Sequence, residues 1–245
     1  MNKTTIVAFL LLTSNTLFAN SITSEINAIE SEWANIYYNK NKATNPSNYQ
    51  ALLTKTQQLS KSHYKATGFI IWQAIIISSN AAHQPPFTAL ESINTAKTLL
   101  ESAIQDHPAA LEGAAFTILG TLYYMTPGWP ISFGNNKKAE TLLKKGLKIN
   151  PKSIDANYFY ASYLLSIDKL NEAVKFFKLA LNQPARANQT FADQQLQKEA
   201  HIALLDTYSR IRTSRLINFI ALFSSQQIAQ DNFFIKKLSK IYTHI

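Results

Sequence analysis

The sequence contains no cysteine. Disulfides are therefore excluded, and with them the stapled extracellular scaffolds that depend on them. A lipid anchor on cysteine is excluded for the same reason. Glycine is scarce, with six among 245 residues, and none sits in a loop that could cradle phosphates. The histidines at 63, 83, 107, 201 and 244 are scattered. None pairs with another His or a Cys at ligand spacing, so no zinc-protease pattern is present, and each is expected at the surface or a helix end. Long apolar runs are missing too: Ile217–Phe223 is stopped by Ser224, Ser225, Gln226 and Gln227. Neither strand-type alternation nor a low-complexity linker appears. "PISFG" at 130–134 departs from the G-x-S-x-G nucleophile elbow at Pro130, and its surroundings are helical, so Ser132 is not read as a nucleophile. No catalytic residue, metal site or cofactor is expected.

What is present begins with an exported look. Lys3, the apolar Ile6–Leu12 and the small-residue site Leu17-Phe18-Ala19 follow the order of a secretory leader, and the apolar part is too short to span a bilayer. Residues 1–19 are expected to be removed, which implies a periplasmic or secreted protein. Charge is unevenly spread. Residues 20–134 carry six Lys/Arg against seven Asp/Glu, and residues 135–245 carry seventeen against eight. Nucleic acid is a poor partner for an exported chain, leaving acidic protein, anionic lipid or a plain solvated face.

Self-comparison exposes a repeat. In "AKTLLESAIQDHP", Ala96, Leu100, Ala103 and Pro108 fall at offsets 0, 4, 7 and 12. The same offsets pick out Ala139, Leu143, Gly146 and Pro151 in "AETLLKKGLKINP". In "AVKFFKLALNQP" they pick out Ala173, Phe177 and Ala180, with Pro184 one residue early. Upstream of the second set stand Phe116, Leu119, Gly120 and Tyr123, and upstream of the third Tyr160 and Ala161. Small residues allow close helix approach, large ones fill the space between hairpins, and proline ends a helix because it cannot donate the backbone bond.

These spacings resemble the tetratricopeptide repeat (TPR) family, whose 34-residue helix–turn–helix unit carries W-x2-L-G-x2-Y and A-x3-F-x2-A-x4-P patterns. The resemblance covers about residues 64–185 and implies an all-α, right-handed α-solenoid of three TPR-like units. Residues 20–63 are expected to form an N-terminal capping hairpin and 186–245 the C-terminal capping helices. Among small exported bacterial TPR proteins, the chain is similar to the helical T-component of TRAP-type solute transporters, from which it departs by lacking an anchoring cysteine. That likeness implies an accessory role beside a solute-binding protein. Carrying the family's concave face onto this chain marks Ala114, Thr117, Thr121, Tyr124 and Met125, then Asp155, Tyr158, Ser162, Leu165 and Ser166.

One stretch breaks the helical reading. "YYMTPGWPISFGNN" holds two of the six glycines and two of the eight prolines. Tyr123 precedes Ala139 by sixteen residues where nine is the family spacing, so seven residues are inserted in the turn. Asn135 or Asn136 is expected to cap the following helix. Trp129, Ile131 and Phe133 either fold back as a plug or present apolar anchors to a protein or peptide partner, with Trp129 buried and Phe133 exposed if both hold. "SSNAAHQPPFTAL" is expected to lengthen the turn of the first unit in a similar way. At the C-terminus, Phe234, Leu238, Ile241 and Ile245 form a stripe opposite Lys236, Lys237 and Lys240. Such a helix suits a solenoid cap, and also weak peripheral contact with an anionic membrane.

Overall fold

The computed structural model describes residues 21–39, 45–64 and 66–242, with side chains up to residue 218 and at 221. The expected leader at 1–19 and the Phe234–Ile245 stripe with its lysines lie outside the described residues or side chains. Among the described residues there is no β-strand, and nine α-helices form the chain. They are α1 (21–37), α2 (Pro46–Ser62), α3 (Thr67–Ala81), α4 (Pro86–Asp106), α5 (Ala114–Met125), α6 (Asn136–Ile149), α7 (Ile154–Ser166), α8 (Leu170–Leu181) and α9 (Thr190–Tyr242).

The helix starts follow from local chemistry. Asn45 accepts from the Ser47 N–H at 3.0 Å, with Pro46 in the first turn of α2. Asn135 accepts from the Lys138 N–H at 2.9 Å and starts α6, and Ser153 accepts from the Ala156 N–H at 3.1 Å and starts α7. Each satisfies a backbone donor that the first turn leaves free. The first-unit turn is shorter than its sequence implies. Ser78 and Ser79 donate back to the carbonyls of Ala74 and Ile75, both at 2.8 Å, and α3 runs on to Ala81. Proline is tolerated at a helix start, so α4 opens at Pro86 and only residues 82–85 connect the two.

The helices pack as consecutive pairs, α3 with α4, α5 with α6, and α7 with α8. The first members also touch one another in order, α3 to α5 to α7 to α9, and so make a continuous inner row. Every small residue of the repeat is buried, including Gly120, Ala139, Gly146, Ala161, Ala173 and Ala180. A Cβ on Gly120 would stand 2.8 Å from Leu143 Cγ and 3.1 Å from the Ala139 carbonyl oxygen, so α5 and α6 approach this closely only because position 120 has no side chain. Phe116, Leu143, Tyr160 and Phe177 fill the spaces between. A second cluster, with Ile29, Ile36, Tyr49, Leu52, Phe69, Trp72 and Ile76, joins α1 and α2 to α3. The C-terminal region is one helix rather than several, and from Tyr208 to Asn218 nearly every described residue is exposed.

Candidate ligand cavity

Helix α1 does more than pack on α2 and α3. It runs along the inner row and is tied to the far end of the chain. Arg186 donates to the Glu30 carboxylate at 3.3 Å, and the Gln189 amide donates to Asn27 Oδ1 at 3.3 Å. Arg186 is itself clamped by Asp193, through Nη2 at 2.6 Å, Nε at 3.0 Å and its own backbone N–H at 2.7 Å. Asp155 stands 3.4 Å from the same guanidinium. Three carboxylates thus share one cation, which fixes α1 over the inner face of α5 and α7.

The result is a cavity of about 1140 Å³, bounded by α1, α3, the start of α4, α5, α7, the 186–189 segment and the start of α9. Neither α6 nor α8 contributes to its wall, because those helices lie on the outer side. Its surface is largely apolar, with aromatic residues grouped at one side. Trp33 stacks on Tyr37 at 4.9 Å between ring centres, stands 5.7 Å from Trp72, and donates its indole N–H to Ser79 Oγ at 2.9 Å. The Glu199 charge bears on Tyr158, Tyr37 and Tyr38.

Burial governs the electrostatics here. Glu30 is pushed up to about 8, chiefly by burial, although Arg186 pulls it down. Burial likewise raises Asp155 and Glu199 above the ordinary carboxylate range. It lifts Tyr124 to about 12 and Tyr158 further, so both phenols stay neutral donors. The wall also carries backbone strain. Leu111 and Glu112 both line the cavity with positive φ, 46° and 55°, in the 3₁₀ turn Ala110–Gly113. Non-glycine residues held there are characteristic of binding and catalytic surroundings. The Asn150 side-chain amide secures this turn by donating to the Glu112 carboxylate.

Of the thirteen sequence-marked contact residues, Thr117, Thr121, Tyr124, Ile131, Asp155, Tyr158 and Ser162 meet in this one cavity. Ala114 and Met125 join them, while Leu165 and Ser166 do not. The inserted loop behaves differently from the expected pattern of a buried Trp129 and an exposed Phe133. Trp129 is 90% exposed, and Phe133 is half-buried with its ring edge-on to Tyr123 at 5.1 Å. The reason is the pinch at the loop's base. Gly134 N–H donates to the Pro127 carbonyl at 2.9 Å, and Asn135 N–H to the Tyr123 carbonyl at 2.8 Å. A Cβ at Gly134 would collide with the Thr126 carbonyl oxygen, so only glycine closes the loop this tightly. That closure turns Phe133 towards the body and leaves Trp129 at the tip, after which a cis peptide bond leads to Pro130.

Sequence reasoning missed Arg186, Asp193, Glu30 and Glu199. Arg186 did carry a signal, being the only arginine before position 210. Among the described residues, no group of His, Asp or Glu is arranged to hold a metal ion, and no helix is long and apolar enough to cross a membrane. The chain matches no protein-family model and no curated protein.

Proposed function

We propose that the protein is a non-enzymatic binding module of the bacterial envelope, a right-handed solenoid of TPR-like hairpins whose first helix closes the concave side over a ligand cavity. The observation that carries this reading is the cavity. Its volume of about 1140 Å³ lies just above the usual range for small-molecule sites, and its mostly apolar wall with a few converging polar groups suits such a ligand. Because α1 lies along the inner row, an extended peptide has less room there than a compact amphipathic molecule. Native mass spectrometry of the protein taken from envelope extracts tests the reading. The expected result is a bound small molecule released on unfolding. A ligand-free protein whose melting no amphipathic compound shifts would overturn it.

A second reading, a protein partner, draws support from the rim. Trp129, Ile131 and Met125 are 90%, 68% and 68% exposed, and the last two also line the cavity. Exposed tryptophan is a common interface anchor. A transporter accessory component would use both features, holding a solute and touching a solute-binding protein. Pull-down from envelope extracts with the unmodified protein and with Trp129→Ala separates the two: a partner lost only in the variant supports docking at the loop.

A further inference from the structure

We propose that the cavity takes an amphipathic amine, its ammonium group against Glu199 and its apolar body along the aromatic wall. This rests on the ligand-cavity reading above and adds the chemical class.

The first ground is charge. The full chain is formally +9, yet its cavity is lined by five acidic side chains, Glu30, Glu112, Asp155, Asp193 and Glu199, of which Glu30 is held largely protonated near neutral pH, and by one basic side chain, Arg186. No lysine or histidine is among the described lining residues. Arg186 is already committed to Asp193, Glu30 and Asp155, which leaves Glu199 without a basic partner on the wall. A carboxylate half-buried in this way is costly unless a cation joins it.

The second ground is the aromatic surface around that carboxylate. Tyr37, Tyr38 and Tyr158 lie close enough to feel the Glu199 charge. Ring faces attract cations. Elsewhere in the molecule the chain supplies such cations itself, with Lys97 over Phe133 at 5.6 Å, Lys138 over Tyr123 at 5.1 Å and Lys145 over Phe116 at 5.6 Å. Among the described lining residues of the cavity it supplies none.

The third ground is an unused acceptor. Gln189 lines the cavity, and its Oε1 is buried with no hydrogen-bond partner while its amide nitrogen is taken by Asn27. A buried acceptor left open is unfavourable; standing about 15 Å from Glu199 along α9, it would be filled by a second donor on the ligand body rather than by the ammonium group.

The test compares three probes with one body and different heads: 4-phenylbutylamine, 4-phenylbutanol and 4-phenylbutyrate. Each is titrated calorimetrically into the full protein near neutral pH and moderate salt. The expected order is amine over alcohol by roughly ten-fold or more, with the butyrate weakest, since hydrogen bonds to charged groups exceed neutral ones by about that factor. Glu199→Gln keeps the shape and removes the charge, so it should lower amine affinity about ten-fold and leave the alcohol unchanged. Equal or tighter binding of the alcohol or the butyrate overturns the amine class and leaves the cavity reading standing. Undiminished amine binding in a folded Glu199→Gln overturns the placement at Glu199. Failure of all three probes counts against the cavity as a ligand site altogether. The comparison on the unmodified protein decides the class even if the variant does not fold.

Discussion

The outer and inner faces of the same helical pairs treat aromatic rings in opposite ways. Outside, lysines lie over Phe116, Tyr123, Phe133, Phe176 and Tyr208 at 5.1–5.8 Å, and the surface is basic. Inside, rings such as Trp33, Trp72 and Tyr158 share a wall with carboxylates and no described lysine. The difference teaches that net charge and local charge are separate quantities. A chain at +9 can hold a site of the opposite sign, because α6 and α8 put their lysines on the side away from α1.

Removing the cation that holds the inner face together should break this contrast most strongly. Arg186→Ala leaves Asp193, whose side chain is 1% exposed, without its partner. Stranded buried charges cost about 3–5 kcal/mol, and because Arg186 is 43% exposed the lower end, about 3 kcal/mol, is expected in urea unfolding. A stability equal to the unmodified protein would show that the clamp is incidental.

A smaller effect should follow from pH. Glu30 titrates at about 8 in the folded protein against 4.5 for an ordinary glutamate. Below about 4.5 it is protonated in both states and contributes no penalty. As pH climbs towards 8 the unfolded chain gives up that proton first, so stability falls across this window. Glu30→Gln should flatten that slope. An equally steep decline in the variant would assign the pH dependence to another group.

The inserted loop sharpens the comparison within one short segment. Phe133→Ala removes a half-buried ring from Tyr123 and Lys97 and should lower stability by about 1–2 kcal/mol, less than a fully buried phenylalanine would. Trp129→Ala should change stability by less than about 0.5 kcal/mol, since the ring is 90% exposed. If thermal melts ranked these two the other way round, the loop would be turned over relative to the body.

Much of this was legible in the sequence, for a definite reason. Close approach needs small residues at fixed spacing, and Gly120, Ala139, Gly146, Ala161, Ala173 and Ala180 are all buried where the repeat put them. Caps are local too, and Asn135 serves as one. The inner positions of α5 and α7 were marked by the resemblance to TPR repeats, and Thr117, Tyr124, Asp155 and Tyr158 meet in one cavity. Periodicity carries no information about what crosses that face. Contacts such as Arg186 to Glu30 join residues 156 positions apart, and nothing in either neighbourhood announces the other. The orientation of Trp129 and Phe133 depended on backbone bonds between Gly134 and Pro127, which side-chain hydrophobicity does not encode.

The tie between α1 and the 186–193 segment also sets an order of events. Hairpins that touch only their neighbours can assemble as soon as each is synthesised, because their closing loops are short. Helix α1 has a different schedule. Ile29 and Ile36 can pack on α2 and α3 early, but its contacts with Arg186 and Gln189 close loops of 156 and 162 residues and form only when most of the chain has been made. Formed last, these ties to the 186–189 segment are also the ones whose release loosens the cavity side of α1 without disturbing the pairs α5–α6 and α7–α8. Amide exchange should accordingly find α1 opening at a lower free energy than α5 or α7, and a ligand held in the cavity should slow that opening more than any other.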